Sequence, residues 1–244
     1  MKLLVDIGNT RTKAAAVEGE KRSAWPALVT AALTEPDGWR AWLAQTTPSE
    51  VLVSNVGGSE SARALSDFAH SAWGLEARFA EPRREAVGMK TAYANPQQLG
   101  VDRWLAALAA WRRSTGAVAV VDFGTAVTLD VVTAAGLHLG GMIAPGLELM
   151  RRALTEKTAD LQTQAYAGVD GLAANTNDAI SLGCASALKG LLEEMRLRVD
   201  AVCNEQATRW WLTGGGANTG AEFMTTAFEL EPDLVLLGLQ EWSA

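Results

Sequence analysis

The chain has 244 residues, of which 48% are apolar and 20% charged, and its formal net charge is −7. That composition excludes a disordered or fibrous chain, and the acidic balance argues against a broad nucleic-acid footprint, which needs clustered Lys and Arg. Two cysteines and two well-separated histidines leave little for a disulfide framework, a zinc centre or a Ser/His/Asp triad.

The chain opens on a β-rich run, Lys2–Ile7, then a Gly8-Asn9-Thr10 turn and a second run, Thr12–Val17, closed by Glu18-Gly19-Glu20. This predicts a hairpin. Asp6 ends the first apolar run after three residues, too soon for a signal-peptide core of about 7–15. No run of about 18 uncharged apolar residues follows, so a cytoplasmic chain with no membrane partner is expected.

Ala41–Thr46 and Ser59–Ala72 carry helical patterns, the second with Ser59 as a cap, and the valine-rich Val51–Val56 reads as a strand. Asn95-Pro96 predicts a helix start, with the helix running to about Arg113 and an apolar stripe of Trp104, Leu105, Leu108 and Trp111. Two more β runs, Ala117–Asp122 and Val127–Val132, flank Phe123-Gly124-Thr125. Gly140-Gly141 and Pro145-Gly146 read as turns, and Gly146–Leu154 and Asp178–Val202 as helices. Trp210–Thr213 reads as a strand before Gly214-Gly215-Gly216, and Ala221–Phe228 as a last helix.

Val5-Asp6-Ile7-Gly8 and Val121-Asp122-Phe123-Gly124 echo one another 116 residues apart, each in a strand–turn–strand context. The echo predicts two similar α/β halves, 1–115 and 116–244, facing one another across a cleft.

Asp6 to Thr10 puts a carboxylate, a flexible backbone and polar side chains in one turn. Successive amides there can form an anion-binding nest, Lys13 adds positive charge, and Asp6 near phosphates would work through Mg²⁺, directly or through water. The plainer reading is a hairpin turn with a solvated Asp and Lys. Asp122 and Thr125 allow the same two readings. Gly100-Val101-Asp102-Arg103 falls inside the predicted helix, where Asp102 could be a general base beside a carboxylate-binding Arg103, or the two could be an ordinary surface pair. Neither a GxxxxGK loop nor a GxGxxG fingerprint is present. Trp104, Trp111 and Trp211 read as core or interface fillers.

In order along the chain, these strings resemble the type III pantothenate kinases, also described as Bvg accessory factors, within the actin-like ATPase superfamily. The resemblance rests on Asp6-Ile7-Gly8-Asn9-Thr10 with Lys13, Tyr93 and Pro96 before Gly100-Val101-Asp102-Arg103, and Asp122-Phe123-Gly124-Thr125-Ala126. Gly140 to Gly146, Asn175-Thr176, Thr213 to Gly216, and Pro232 to Leu236 extend it. It implies two actin-like (ribonuclease H-like) domains with mixed sheets flanked by helices. The implied reaction is ATP-dependent phosphorylation of pantothenate, the first step of coenzyme A synthesis.

Carried over by position, Asp6, Ile7, Gly8, Asn9, Thr10, Arg11, Thr12 and Lys13, with Thr125, would bind ATP. Asp102 would be the base; Tyr93, Gly100, Val101, Asp102, Arg103 and Thr176 would line the pantothenate pocket. Asp122 would hold a monovalent cation, K⁺ or NH₄⁺, and Asp6 would hold Mg²⁺. A homodimer is implied, with pantothenate near the subunit interface. Two departures stand out: Val101 where the family often has Ala, and Ser54-Asn55-Val56-Gly57-Gly58 in place of a Ser-Ser-Val run ending in Pro. A related kinase with another acceptor, and a non-catalytic transcriptional accessory factor, are the alternatives.

Overall fold

A computed structural model describes residues 1–19, 21–35, 37–43, 46–156, 171–203 and 208–243. In chain order the strands and helices begin β1 (Lys2–Ile7), β2 (Arg11–Glu18), β3 (Lys21–Ala24), β4 (Leu28–Val29), α1 (Ala31–Thr34), α2 (Gly38–Leu43), β5 (Glu50–Asn55) and α3 (Ser59–Trp73). They continue with β6 (Ala77–Phe79), β7 (Glu85–Ala86), β8 (Met89–Thr91), α4 (Val101–Arg112), β9 (Val118–Phe123), β10 (Ala126–Val132) and β11 (Leu137–Pro145). The last are α5 (Leu147–Thr155), α6 (Thr176–Val202), β12 (Arg209–Thr213), α7 (Ala217–Ala221), β13 (Phe228–Leu230) and α8 (Leu234–Trp242).

The chain divides into two compact units. The first holds Met1–Arg113, Gly136–Leu139 and Asp233–Ala244, and the second Ser114–Ala135 and Gly140–Pro232. Expected boundaries at 115 and 116 ignored two exchanges. The tail leaves the second half to join the first unit, because α8 buries Leu234, Val235, Leu236 and Leu239 there against α4. The start of β11 also stays in the first unit, where His138 pairs with Thr91 of β8 in parallel register.

In the first unit the strand order is β3-β2-β1-β5-β6, with β1 antiparallel to β2 and parallel to β5. Leu3, Val5, Ile7, Val51 and Val53 pack with Leu33, Leu65 and Phe68 in its core. Alternate burial along β1 is lost because both sheet faces are covered, as parallel neighbours require. In the second unit the order is β11-β10-β9-β12-β13, with β9 antiparallel to β10 and parallel to β12. The two orders are the same path through two copies of one unit, as the Asp-x-Gly echo predicted.

Several local expectations need correction. Helix α3 has no cap from Ser59. Gly58 takes the cap position, and the Asn55 side chain fastens the turn by accepting from Gly57 N–H at 3.1 Å and donating to the Gly58 carbonyl at 3.0 Å. The predicted helix from Asn95 is two pieces: a 3₁₀ turn at Pro96–Gln98, capped by Asn95 Oδ1, and then α4. Leu99 is extended between them, so Gly100 precedes α4 instead of lying inside it. Gly140-Gly141 is no turn but runs within β11, where Gly140 has φ of 115°. Residues 217–221 form α7, and Phe228 begins β13 instead of ending a helix. Of the expected helix Ala41–Thr46, residues 44 and 45 lie outside the described residues, as does Glu20.

Candidate active site

Asp6 is the penultimate residue of β1 and is half-buried, paired in register with Lys13 across the hairpin and with Ser54 on β5. The turn closes where Gly8 N–H donates to the Arg11 carbonyl at 3.0 Å. Asn9, Thr10 and Arg11 are exposed at its tip, whereas Ile7 and Thr12 are fully buried. Those two can serve a ligand only through backbone atoms. Thr12 spends its hydroxyl on Thr30, at 3.0 Å, and Thr30 donates to the Gly8 carbonyl at 2.8 Å. Thr30 N–H also donates to the Thr10 carbonyl. Thr30 thus holds the turn from behind. It went unnoticed in the sequence because nothing local marks a residue that lies 18 positions beyond its partner.

Lys13 lies 3.6 Å from Asp233 at the start of α8, and Arg22 lies 3.4 Å from the same carboxylate. The tail string containing Asp233 therefore has a place beside the hairpin cation that the sequence reading did not assign.

The second hairpin repeats the first with a turn one residue shorter. Phe123 pairs with Val127 and Asp122 with Thr128, and Gly124 N–H donates to the Ala126 carbonyl at 2.9 Å. Asp122 is half-buried and Thr125 is exposed. Behind each hairpin a glycine follows the parallel neighbour strand. A Cβ on Gly57 would sit 2.7 Å from the Gly8 carbonyl oxygen, and one on Gly214 would lie 2.6 Å from the Phe123 carbonyl oxygen and overlap Asp122 Oδ1. Gly214 also has φ of 92°, which disfavours any side chain. The two glycine strings, unremarkable alone in the sequence, are thus equivalent supports beneath two equivalent turns.

Asp102 lies in the first turn of α4, which is otherwise buried almost throughout. A carboxylate at a helix N-terminus faces the positive end of the helix dipole. Its Oδ1 accepts from Arg103 N–H at 2.8 Å. Arg103 and Val101 are buried, at 9% and 7% exposed, and Gly100 is half-buried. Tyr93, half-buried, follows β8 in the same unit. The first unit therefore holds the Asp6–Lys13 hairpin, Tyr93 and Gly100–Arg103, while Asp122, Thr125 and Thr176 belong to the second.

Thr176 begins α6, whose Asn175 cap accepts from Asp178 N–H at 3.0 Å. It lines a groove of about 650 Å³ between α5 and α6, with Leu149, Met150, Ile180 and Cys184 among its apolar walls. Burial pushes the Cys184 thiol up, and the nearby Arg151 charge opposes that shift. Of the tryptophans singled out, Trp104 and Trp211 are buried.

Among the described residues no cluster of three metal-ligating side chains occurs. Each hairpin instead offers one carboxylate beside backbone carbonyls. Such hard oxygen donors fit a weakly held K⁺ at Asp122, or a Mg²⁺ that keeps its waters and takes further ligands from phosphates at Asp6.

Two units of one strand order, each opening on an Asp-x-Gly hairpin backed by a glycine, define the actin-like ATPase fold. An archaeal actin homologue superposes with a TM-score of 0.50 at 14% identity, covering 99% of this chain and 98% of that one. A conserved Campylobacter jejuni protein described as a Baf family transcriptional activator superposes with a TM-score of 0.61 at 20% identity, covering 98% and 96%. The model of the type III pantothenate kinase family matches residues 2–198. Type III pantothenate kinases of Nitrosococcus oceani and Azoarcus sp. strain BH72 are 36% and 37% identical, over 98% of this chain and 92% and 89% of theirs. The chain belongs to the type III pantothenate kinase family.

Proposed function

We propose that this protein transfers the terminal phosphoryl group of ATP to the hydroxyl of pantothenate, opening coenzyme A synthesis in the cytoplasm. The observation that carries the reading is the place of Asp102. It stands at the first turn of a buried helix, in the same unit as the Asp6–Lys13 hairpin, with its backbone neighbour already holding one carboxylate oxygen.

Phosphoryl transfer needs positioning and charge neutralisation more than covalent chemistry. Amides of the first turn, with Asn9, Thr10 and Lys13, are assigned to ATP phosphate, and Thr125 of the second turn to the same role. Asp102 accepts the proton of the attacking hydroxyl. Its Oδ1 also accepts from Arg103 N–H, which fixes the carboxylate at the start of α4. Arg103 is assigned to the pantothenate carboxylate, where a fixed guanidinium suits a planar anion. Tyr93, Gly100 and Val101 of the first unit are assigned to contacts with pantothenate, and so is Thr176 of the second. Mg²⁺ held by Asp6, and K⁺ or NH₄⁺ held by Asp122, would supply positive charge to the phosphates. No helix among the described residues is long and apolar enough to cross a membrane.

A homodimer is part of the same reading. The groove between α5 and α6 is apolar, and Leu149 and Leu154 stay 39% and 53% exposed. A second copy would cover these side chains beside Thr176. Sedimentation should give a dimer, and Leu154→Glu should shift it toward monomer. A wild-type monomer would remove the dimer from the proposal.

The deciding experiment is ADP release with and without pantothenate, in K⁺ and in Na⁺. Pantothenate-dependent release that weakens in Na⁺ supports the kinase and the cation at Asp122. Equal rates in both salts count against that cation. ATP binding without transfer favours the non-catalytic accessory factor, and transfer to a sugar instead moves the acceptor.

A further inference from the structure

We infer that Thr91 and His138 are positioning residues that set the direction of Tyr93 in the acceptor pocket, an inference that rests on the reading of Tyr93 as a pantothenate-pocket residue. Thr91 ends β8, and His138 is its register partner on β11. Both side chains are buried, Thr91 at 5% and His138 at 0% exposed.

Thr91 Oγ1 accepts from Tyr93 N–H at 3.2 Å and stands 3.2 Å from His138 Nδ1. A hydroxyl has one proton and two lone pairs, so it serves both neighbours whichever ring nitrogen carries hydrogen. The His138 ring lies 5.9 Å from the Tyr93 ring, centroid to centroid, tilted by 31°. Tyr93 is therefore held at two points: its backbone by Thr91 and its ring by His138.

The chain beyond Tyr93 is fastened as well. Arg84 donates to the Ala94 carbonyl at 3.0 Å, and the Gln97 side chain donates to the Pro82 carbonyl at 3.3 Å. The segment that carries Tyr93 toward Gly100 and Asp102 leaves the sheet in one direction. A buried hydroxyl and imidazole stabilise less than two apolar residues of similar size unless they satisfy one another and a third group. Here the third group is the Tyr93 amide. Thr91 and His138 touch no reacting atom in this arrangement; they act through Tyr93.

The test compares Thr91→Val, Thr91→Ser and His138→Leu in the full-length protein. Losing the acceptor of one amide should raise the KM for pantothenate about tenfold in Thr91→Val. The KM for ATP and kcat should stay within about twofold, and Thr91→Ser should return the pantothenate KM to within about twofold of wild type. His138→Leu, which also removes the ring contact, should raise it further. Hydrogen exchange at the Tyr93 amide should quicken in Thr91→Val and not in Thr91→Ser. An unchanged pantothenate KM in Thr91→Val overturns the inference. So does a rise of both KM values together with a lowered melting temperature that serine does not restore. Wild-type protein with no pantothenate-dependent ADP release sinks the kinase reading instead, and exchange at the Tyr93 amide still decides whether Thr91 holds it.

Discussion

Asp102→Asn separates chemistry from scaffold at the scale of one residue. The amide keeps an oxygen for Arg103 N–H, so the first turn of α4 is preserved. It cannot take a proton from the acceptor hydroxyl. General-base removal costs about 10²–10⁴ in rate. We expect kcat to fall by about that factor while calorimetry shows ATP binding unchanged; an unaltered kcat would take Asp102 out of the mechanism. Candidates of this kind stand out in the sequence because polar groups crowd into short glycine turns and a small ordered set of strings. Thr30 and Asp233 do not. Each meets its partner through the fold, Thr30 across 18 residues from Thr12 and Asp233 from the start of the last helix to Lys13 near the start of the chain, and leaves no local spacing to read.

Among the elements, α4 and α8 meet most closely at one point. A Cβ on Gly238 would overlap the Leu105 carbonyl oxygen and its backbone. Backbone on a buried helix cannot yield as a flexible side chain does, so Gly238→Ala should lower stability by about 1–3 kcal/mol, read as a lower midpoint in urea. An unchanged midpoint would mean that the helices separate freely. Sequence patterns found most of the strands and long helices, since β-branched runs and helical spacing survive burial. They erred where glycine was the signal. At Gly100 and Gly140 a break was read as a helix interior and a strand was read as a turn. A glycine announces an unusual backbone without saying which one. The difference matters at Gly100, because ending the 3₁₀ turn at Leu99 is what puts Asp102 at the positive end of α4 and not within its second turn.

At the scale of the molecule, the echo between Asp6 and Asp122 revealed the duplicated architecture, and strand order β3-β2-β1-β5-β6 against β11-β10-β9-β12-β13 carries it through. The halves were read as sequential, and the tail crosses that division. Asp233–Ala244 belongs to the first unit, where Asp233 meets Lys13 and Arg22, and Arg113 meets Glu241 at 3.0 Å. Ending the chain at Pro232 should therefore damage the first unit far more than the second. Limited proteolysis should cut first within residues 1–113; a protected first unit would show that α8 is dispensable.

The return of α8 also orders events during synthesis. The ribosome makes the strands of the first unit early, but the helix that shelters α4 emerges after every strand of the second. Until then Leu105 and its neighbours lack their cover, and the nascent polypeptide carries an open apolar seam while the second unit is being made. Holdase chaperones that recognise such seams should therefore engage this protein late in elongation and release it once residues 234–242 clear the exit tunnel.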